Sequence, residues 1–229
     1  MTQMTFGNKN SLLLGHIELT EKQSKFHKIM RNPQTRVVFI SGPAGTAKTF
    51  LSVYTALYKY NEDNLLNILY LRSLAESADK GMGFLKGSMD EKFNPYLGPL
   101  EDKLDELLNG PEKKQIQDRK VLEAAPINFL RGATWKNKMV IVDEAQNMTK
   151  RELTTIITRI STNTTLFLCG DTMQSDIRSS GFNRFCNIFD DEESQSFGIH
   201  HLKFGKEDVM RDKIISYLVD KIEKSEIKQ

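Results

Sequence analysis

A chain of 229 residues, 39% hydrophobic and 27% charged, can bury a core of its own and suits one α/β domain or at most two small ones. No apolar run approaches the roughly 18 residues of a membrane span, and the amino-terminal MTQMTFGNKNS lacks the basic-then-apolar order of an export signal, so a soluble cytoplasmic protein without membrane contact is expected. A formal net charge of +2 excludes a globally basic surface, and any nucleic-acid contact must come from local cations.

Residues 18–30, ELTEKQSKFHKIM, carry a Thr20 cap signal and apolar positions at Phe26, Ile29 and Met30, which predicts a short helix. Gln23 precedes Gly42 by nineteen residues. An amide there can read an adenine edge, accepting from N6–H and donating to N7, or can be a solvent-facing helix side chain. His16 and His27 have no second ligand at helical spacing and read as non-metal residues.

The decisive stretch is residues 41–49, SGPAGTAKT, between the apolar run Val37 to Ile40 and the helix-like FLSVYTALYKY. Strand, small-residue loop and helix in that order make a phosphate cradle, because loop N–H groups and the helix N-terminus point at phosphate oxygens. Gly42, Lys48 and Thr49 fit G-x-x-x-x-G-K-[S/T]; Pro43, Ala44, Gly45 and Thr46 fill the loop, and Ala47 stands where the template has its second glycine. Lys48 is expected on the β- and γ-phosphates and Thr49 on Mg²⁺, which makes ATP and Mg²⁺ the expected ligands. An alanine at 47 fits if its φ stays negative.

A second buried strand is predicted at residues 67–72, NILYLR. The stretch that follows joins Gly81, Gly83 and Gly87 to Lys80 and Lys86 as a basic, glycine-rich loop, and leads to a helix through Leu100, Leu104, Leu107 and Leu108 that Gly110 and Pro111 end. Around Val121 and Leu122 the pattern is ambiguous between a short strand and irregular chain. In residues 129–138, FLRGATWKNK, Arg131, Lys136 and Lys138 surround Trp135, a set that suits phosphate contacts and base stacking, or else a basic loop with a packed indole.

Met139 to Val142 is an apolar run that ends in Asp143 and Glu144, placing two acids at the carboxyl edge of a buried parallel strand. Asp143 is expected to hold Mg²⁺ and Glu144 to act as base or orienting group for the attacking water. A helix over about 149–160 follows, then a buried strand at 166–169 that runs into Gly170, Asp171 and Gln174, whose amide could face the γ-phosphate. A helix near 182–189, a strand near 197–204 and a closing helix over about 209–224 complete the pattern. Cys169 and Cys186, with neither metal spacing nor a framework count, are expected as reduced core residues.

Together GPAGTAKT, PINFLRGATW, IVDEAQNMT, CGDTMQSDIRSSGF and FGKEDVMRDKI resemble the PhoH family of phosphate-starvation-associated ATPases, over roughly residues 18 to 222. With Ala47 in its loop the chain looks more like the short, phage-borne members than the bacterial enzymes, which implies a host-cytoplasmic location if it is phage-encoded. The family's nucleotide-binding half in turn resembles the first motor domain of superfamily 1 helicases. That resemblance implies a RecA-like P-loop fold, a mostly parallel sheet sandwiched by helices, spanning residues 1–229 with 1–17 and 225–229 as peripheral tails. It also implies Gln23 on adenine, Lys48 and Thr49 as motif I, Asp143 to Gln146 as motif II, Gly170 to Gln174 as motif III, and Arg211 on the γ-phosphate.

Such helicases close their site with arginines from a second motor domain, which 229 residues cannot hold beside the first. A homo-oligomer, by analogy a hexameric ring, is therefore expected, with Arg159, Arg178 and Arg184 as candidates for an arginine supplied in trans. The expected activity is ATP hydrolysis coupled to single-stranded RNA or DNA. A nucleotide-controlled clamp with little hydrolysis is the alternative, and a small-molecule kinase a weaker one, because adjacent Asp143 and Glu144 favour water activation.

Overall fold

The computed structural model describes residues 11–63, 66–73, 89–127, 134–172, 174–175, 177, 179–210 and 217, and the side chains of residues 89–96 lie outside that description. Its helices are α1 (Glu21–Arg31), α2 (Lys48–Glu62), α3 (Met89–Leu107), α4 (Gly110–Asp118), α5 (Lys150–Ile157), α6 (Phe182–Ile188) and α7 (Glu192–Ser196). Its strands are β1 (Val37–Ser41), β2 (Asn67–Arg72), β3 (Leu122–Pro126), β4 (Lys138–Asp143), β5 (Thr164–Gly170) and β6 (Ile199–Lys203).

The strands form one sheet in the order β3-β2-β4-β5-β1-β6, and every pair is parallel. The P-loop α/β fold expected from the sequence is thus the fold the chain adopts. Parallel neighbours need crossover connections, and the helices that supply them cover both faces. Val38, Ile40, Tyr70 and Ile141 pack with Leu51, Leu57, Leu107 and Ile116 on the face of α2, α3 and α4. Val37, Phe39, Val140, Val142 and Leu168 pack with Leu153, Ile156 and Phe182 on the face of α5 and α6. Burial on both sides is why β1, β4 and β5 are unbroken apolar runs, while the edge strands β3 and β6 are only partly buried.

Several expectations are sharpened or corrected. Thr20 caps α1 through a capping box with Gln23, and Thr149 caps α5 with Glu152. Gly110 and Pro111 do not merely end a helix: Pro111 occupies the first turn of α4, where a missing N–H is harmless, and the ambiguous stretch after it is the edge strand β3. Residues 11–17 are not a peripheral tail. Leu12 is 2% exposed, its backbone exchanges hydrogen bonds with the Asn61 side chain (2.7 and 2.9 Å), and Gly15 N–H donates to Leu107 O. The closing helix expected over 209–224 lies outside the described residues apart from positions 209, 210 and 217. Cys169 and Cys186 are buried on opposite faces of the sheet, and burial pushes each thiol up to about 12.

His27 is buried against α2, with Nδ1 2.9 Å from Thr55 Oγ1, and desolvation followed by the nearby Arg31 charge pushes its pKa down from 6.5 to about 4. Below pH 6.5 the unfolded chain takes up a proton at His27 that the native state refuses until about pH 4. Its contribution to stability is complete above pH 6.5 and lost as pH falls through that window, up to about 3 kcal/mol. Urea melts of wild type should show that loss, and His27→Gln should flatten it; equal slopes in the two proteins would remove His27 as the cause.

Candidate nucleotide site

Because all strands run the same way, the tips of β1, β2, β4 and β5 share one edge of the sheet. β5 lies between β1 and β4, so the phosphate loop after β1 and the acids after β4 are separated by two strand spacings, roughly 10 Å. The first turn of α2 spans that gap. Thr49 Oγ1 donates to Asp143 Oδ1 at 2.6 Å, which joins the two motifs that the sequence kept ninety-four residues apart.

The loop is shaped by tight local contacts. Gly42 has φ +154°, and a Cβ on it would stand 2.6 Å from Phe204 Cβ and 2.9 Å from the Phe204 carbonyl, so no other residue fits there. Thr46 is buried and donates to Pro43 O at 2.9 Å; Gly45 has φ +86°, and Ala44 is exposed at the rim. Lys48 Nζ donates to Gly42 O and Pro43 O at 2.7 and 2.8 Å, which holds the ammonium inside the curl of the loop. Burial pushes the Lys48 pKa below its ordinary value, opposed by the negative field of Asp171 and then of Glu144 and Asp143. α2 is fifteen residues long and has no acid in its first turn, so its positive N-terminal end faces the loop unopposed.

Ala47 departs from expectation. Its φ is +61°, in the left-handed region, so an alanine holds the conformation that a glycine would hold freely. The loop backbone is therefore glycine-like in shape, at an energetic cost carried in the resting protein. Ala47→Gly should stabilise the fold by about 1 kcal/mol and raise Tm by roughly 2–4 °C, while ATP affinity stays within a few-fold of wild type. A lowered Tm in a thermal melt would contradict the strain.

The acids are held from β2 and β5. Asp143, 6% exposed, accepts at Oδ2 from the Tyr70 hydroxyl at 2.5 Å; burial and then the Asp143 charge push the Tyr70 pKa well above its usual value. Glu144 also has a left-handed backbone, φ +54°, and its carboxylate accepts at Oε2 from Gln146 Nε2 at 2.6 Å. Gln146 Oε1 in turn accepts from Asp171 N at 3.0 Å, so one amide ties Glu144 to the tip of β5. Arg72 lies beside both acids, with Nη1 4.0 Å from Asp143 Oδ2 and Nη2 3.8 Å from Glu144 Oε1.

The hard-oxygen pair of Thr49 and Asp143 suits Mg²⁺, which takes one or two protein oxygens and fills its octahedron with phosphate and water. Among the described residues, no three His, Cys, Asp or Glu gather into a metal cage, as such a shared site would not require.

Gln23 is buried and not solvent-facing. Its Oε1 closes the α1 capping box on Thr20 N at 3.0 Å, and its Nε2 donates to Met210 Sδ at 2.9 Å. Met210 N–H donates to Gly45 O, which places Gln23 one residue's width from the loop flank. Gln174 is exposed, four residues beyond β5; it is Gln146 that meets Glu144. Arg211, Arg131, Arg178, Lys80 and Lys86 lie outside the described residues.

Of the two readings open for Trp135, base stacking and a packed indole, the chain adopts the packed indole. The indole is 3% exposed within the α5-side core, its backbone N–H donates to Arg159 O, and its carbonyl accepts from Thr164 Oγ1. It precedes β4, at the end of the sheet opposite the phosphate loop, and Lys138 is paired with Glu123 at 2.9 Å. No helix among the described residues is long and apolar enough to cross a membrane.

A family model described as "PhoH-like protein" matches residues 17–223. The chain is 33% identical over 193 residues to a PhoH-like protein of Synechocystis sp., covering 83% of this chain and 57% of that one. It is 31% identical over 188 residues to a PhoH-like protein of Bacillus subtilis (82% and 58%), and 32% identical over 198 residues to Protein PhoH of Escherichia coli K12 (84% and 54%). The chain thus spans little more than half the length of these relatives. Among solved structures, the Pif1 helicase of Candida albicans superposes on 82% of this chain and 40% of its own at 15% identity and TM-score 0.39. A score that low leaves the fold to be read from the chain's own strand order.

Proposed function

We propose that this chain, which belongs to the PhoH family, binds ATP with Mg²⁺ at the β1–α2 loop and hydrolyses it, coupling the reaction to single-stranded RNA or DNA as a homo-oligomeric, hexameric ring. The observation that carries the nucleotide assignment is the 2.6 Å hydrogen bond from Thr49 to Asp143, which makes one site of the phosphate loop and the acidic strand tip.

Lys48 holds the β- and γ-phosphate charge within the loop, and the α2 N-terminus adds to it. Thr49 and Asp143 would hold Mg²⁺, whose charge offsets that of the β- and γ-oxygens. Glu144, with its side chain 40% exposed, is open to water while Gln146 fixes its other oxygen. It accepts the proton as a water oxygen bonds to the γ-phosphorus and the bond to the ADP oxygen breaks. The strain at Ala47 does not argue for a clamp without hydrolysis, since the backbone keeps a glycine-like shape.

Polymer binding is assigned away from Trp135. Lys80 and Lys86, in the basic, glycine-rich stretch of the sequence, are the cations proposed for it. For closure in trans, Arg184 on α6 is exposed and suits a neighbour's site better than the partly buried Arg159. Steady-state ATP turnover, measured alone and with single-stranded RNA or DNA, tests the whole assignment. Stimulation by either polymer supports it, turnover without stimulation removes the coupling, and ATP binding without turnover leaves a clamp.

A further inference from the structure

We infer that Arg72 contacts the terminal phosphate of the bound nucleotide, as an arginine supplied in cis from the tip of β2; this rests on the ATP site proposed above. Strand alternation puts Ile68, Tyr70 and Arg72 on one face of β2, and the register sets Arg72 opposite Asp143. That face is the one α2 covers, so Arg72 shares a side of the sheet with Asp143 and Thr49.

The guanidinium is not there to satisfy the acids. Asp143 already accepts from Thr49 at Oδ1 and Tyr70 at Oδ2, and Glu144 from Gln146, all at 2.5–2.6 Å. Arg72 stands off at 3.8–4.0 Å, beyond the roughly 2.7–2.9 Å of a charge-assisted hydrogen bond. Its side chain is 20% exposed and its Nη1 is buried with no hydrogen-bond partner. A buried guanidinium N–H without an acceptor is costly and calls for one. Two carboxylates hold the cation at the site by charge and leave Nη1 without an acceptor. An anion arriving between Lys48 and Glu144 supplies the acceptor, and the phosphate beside Glu144 is the terminal one, which ATP has and ADP lacks.

The test is the ratio of ATP to ADP affinity in the presence of Mg²⁺, by calorimetry on wild type, Arg72→Gln and Arg72→Lys, each with a thermal melt. Arg72→Gln should weaken ATP roughly tenfold or more and leave ADP within about twofold, while Arg72→Lys recovers part of the ratio. Equal weakening of both nucleotides, or of neither, in a folded variant overturns the inference. If Arg72→Gln does not fold, Arg72→Lys decides: a ratio reduced several-fold supports the contact and an unchanged ratio overturns it. Wild type that binds neither nucleotide overturns the ATP site itself, and Arg72's role with it.

Discussion

Lys48→Ala is expected to reduce ATP turnover to background and to weaken ATP binding by roughly 10²-fold or more, about 3 kcal/mol. The ammonium is the loop's own cation, and its two hydrogen bonds, to Gly42 O and Pro43 O, hold it in the curl where phosphate oxygens would lie. Removing it leaves the β- and γ-phosphate charge opposed by the α2 dipole, the metal and Arg72 at the terminal phosphate, and a helix N-terminus contributes only about 0.3–1 kcal/mol. The two loop carbonyls also lose their donor, so some loss of stability accompanies the change. Lys48→Met, which keeps the apolar stem, separates the two effects. A folded Lys48→Met protein with wild-type ATP affinity in calorimetry would remove the β1–α2 loop as the phosphate site.

What the sequence made legible here was local. The phosphate loop, the α1 cap and the Asp143–Glu144 strand tip each lie within a few residues, so motif and periodicity suffice. Tyr70 and Arg72 were missed because their role depends on β2 lying beside β4, and strand order is a long-range result of which helices cover which face. NILYLR carried a signal nonetheless: a Tyr and an Arg, two residues apart at the carboxyl end of an apolar run, share a face at the ligand edge of a parallel sheet. Trp135 was open to two readings in the sequence, base stacking and a packed indole. Its basic neighbours suggested a surface loop, yet at the amino end of β4 the indole packs on α5, and only the direction of the strand tells the two ends apart. The φ of Ala47 was expected to be negative because an alanine favours that region, whereas the template glycine it replaces marked the position as one that can be left-handed.

Glu144→Gln should keep ATP binding within a few-fold of wild type and lose roughly 10²-fold or more in turnover. The substitution preserves size and still offers an oxygen to Gln146 Nε2, so the link through Gln146 to Asp171 N and the tip of β5 can persist. What disappears is the carboxylate that takes the water's proton. Asp143 cannot replace it, because both of its oxygens accept hydrogen bonds, from Thr49 and Tyr70, and it is buried where Glu144 is open. Losing one negative charge beside the phosphates should, if anything, tighten ATP, and it also removes one of the two carboxylates that hold Arg72. Single-turnover rates together with calorimetric ATP affinity check the outcome. Binding and rate that fail together would make Glu144 a structural residue, its left-handed backbone serving the 3₁₀ turn Ala145–Asn147 and not the chemistry.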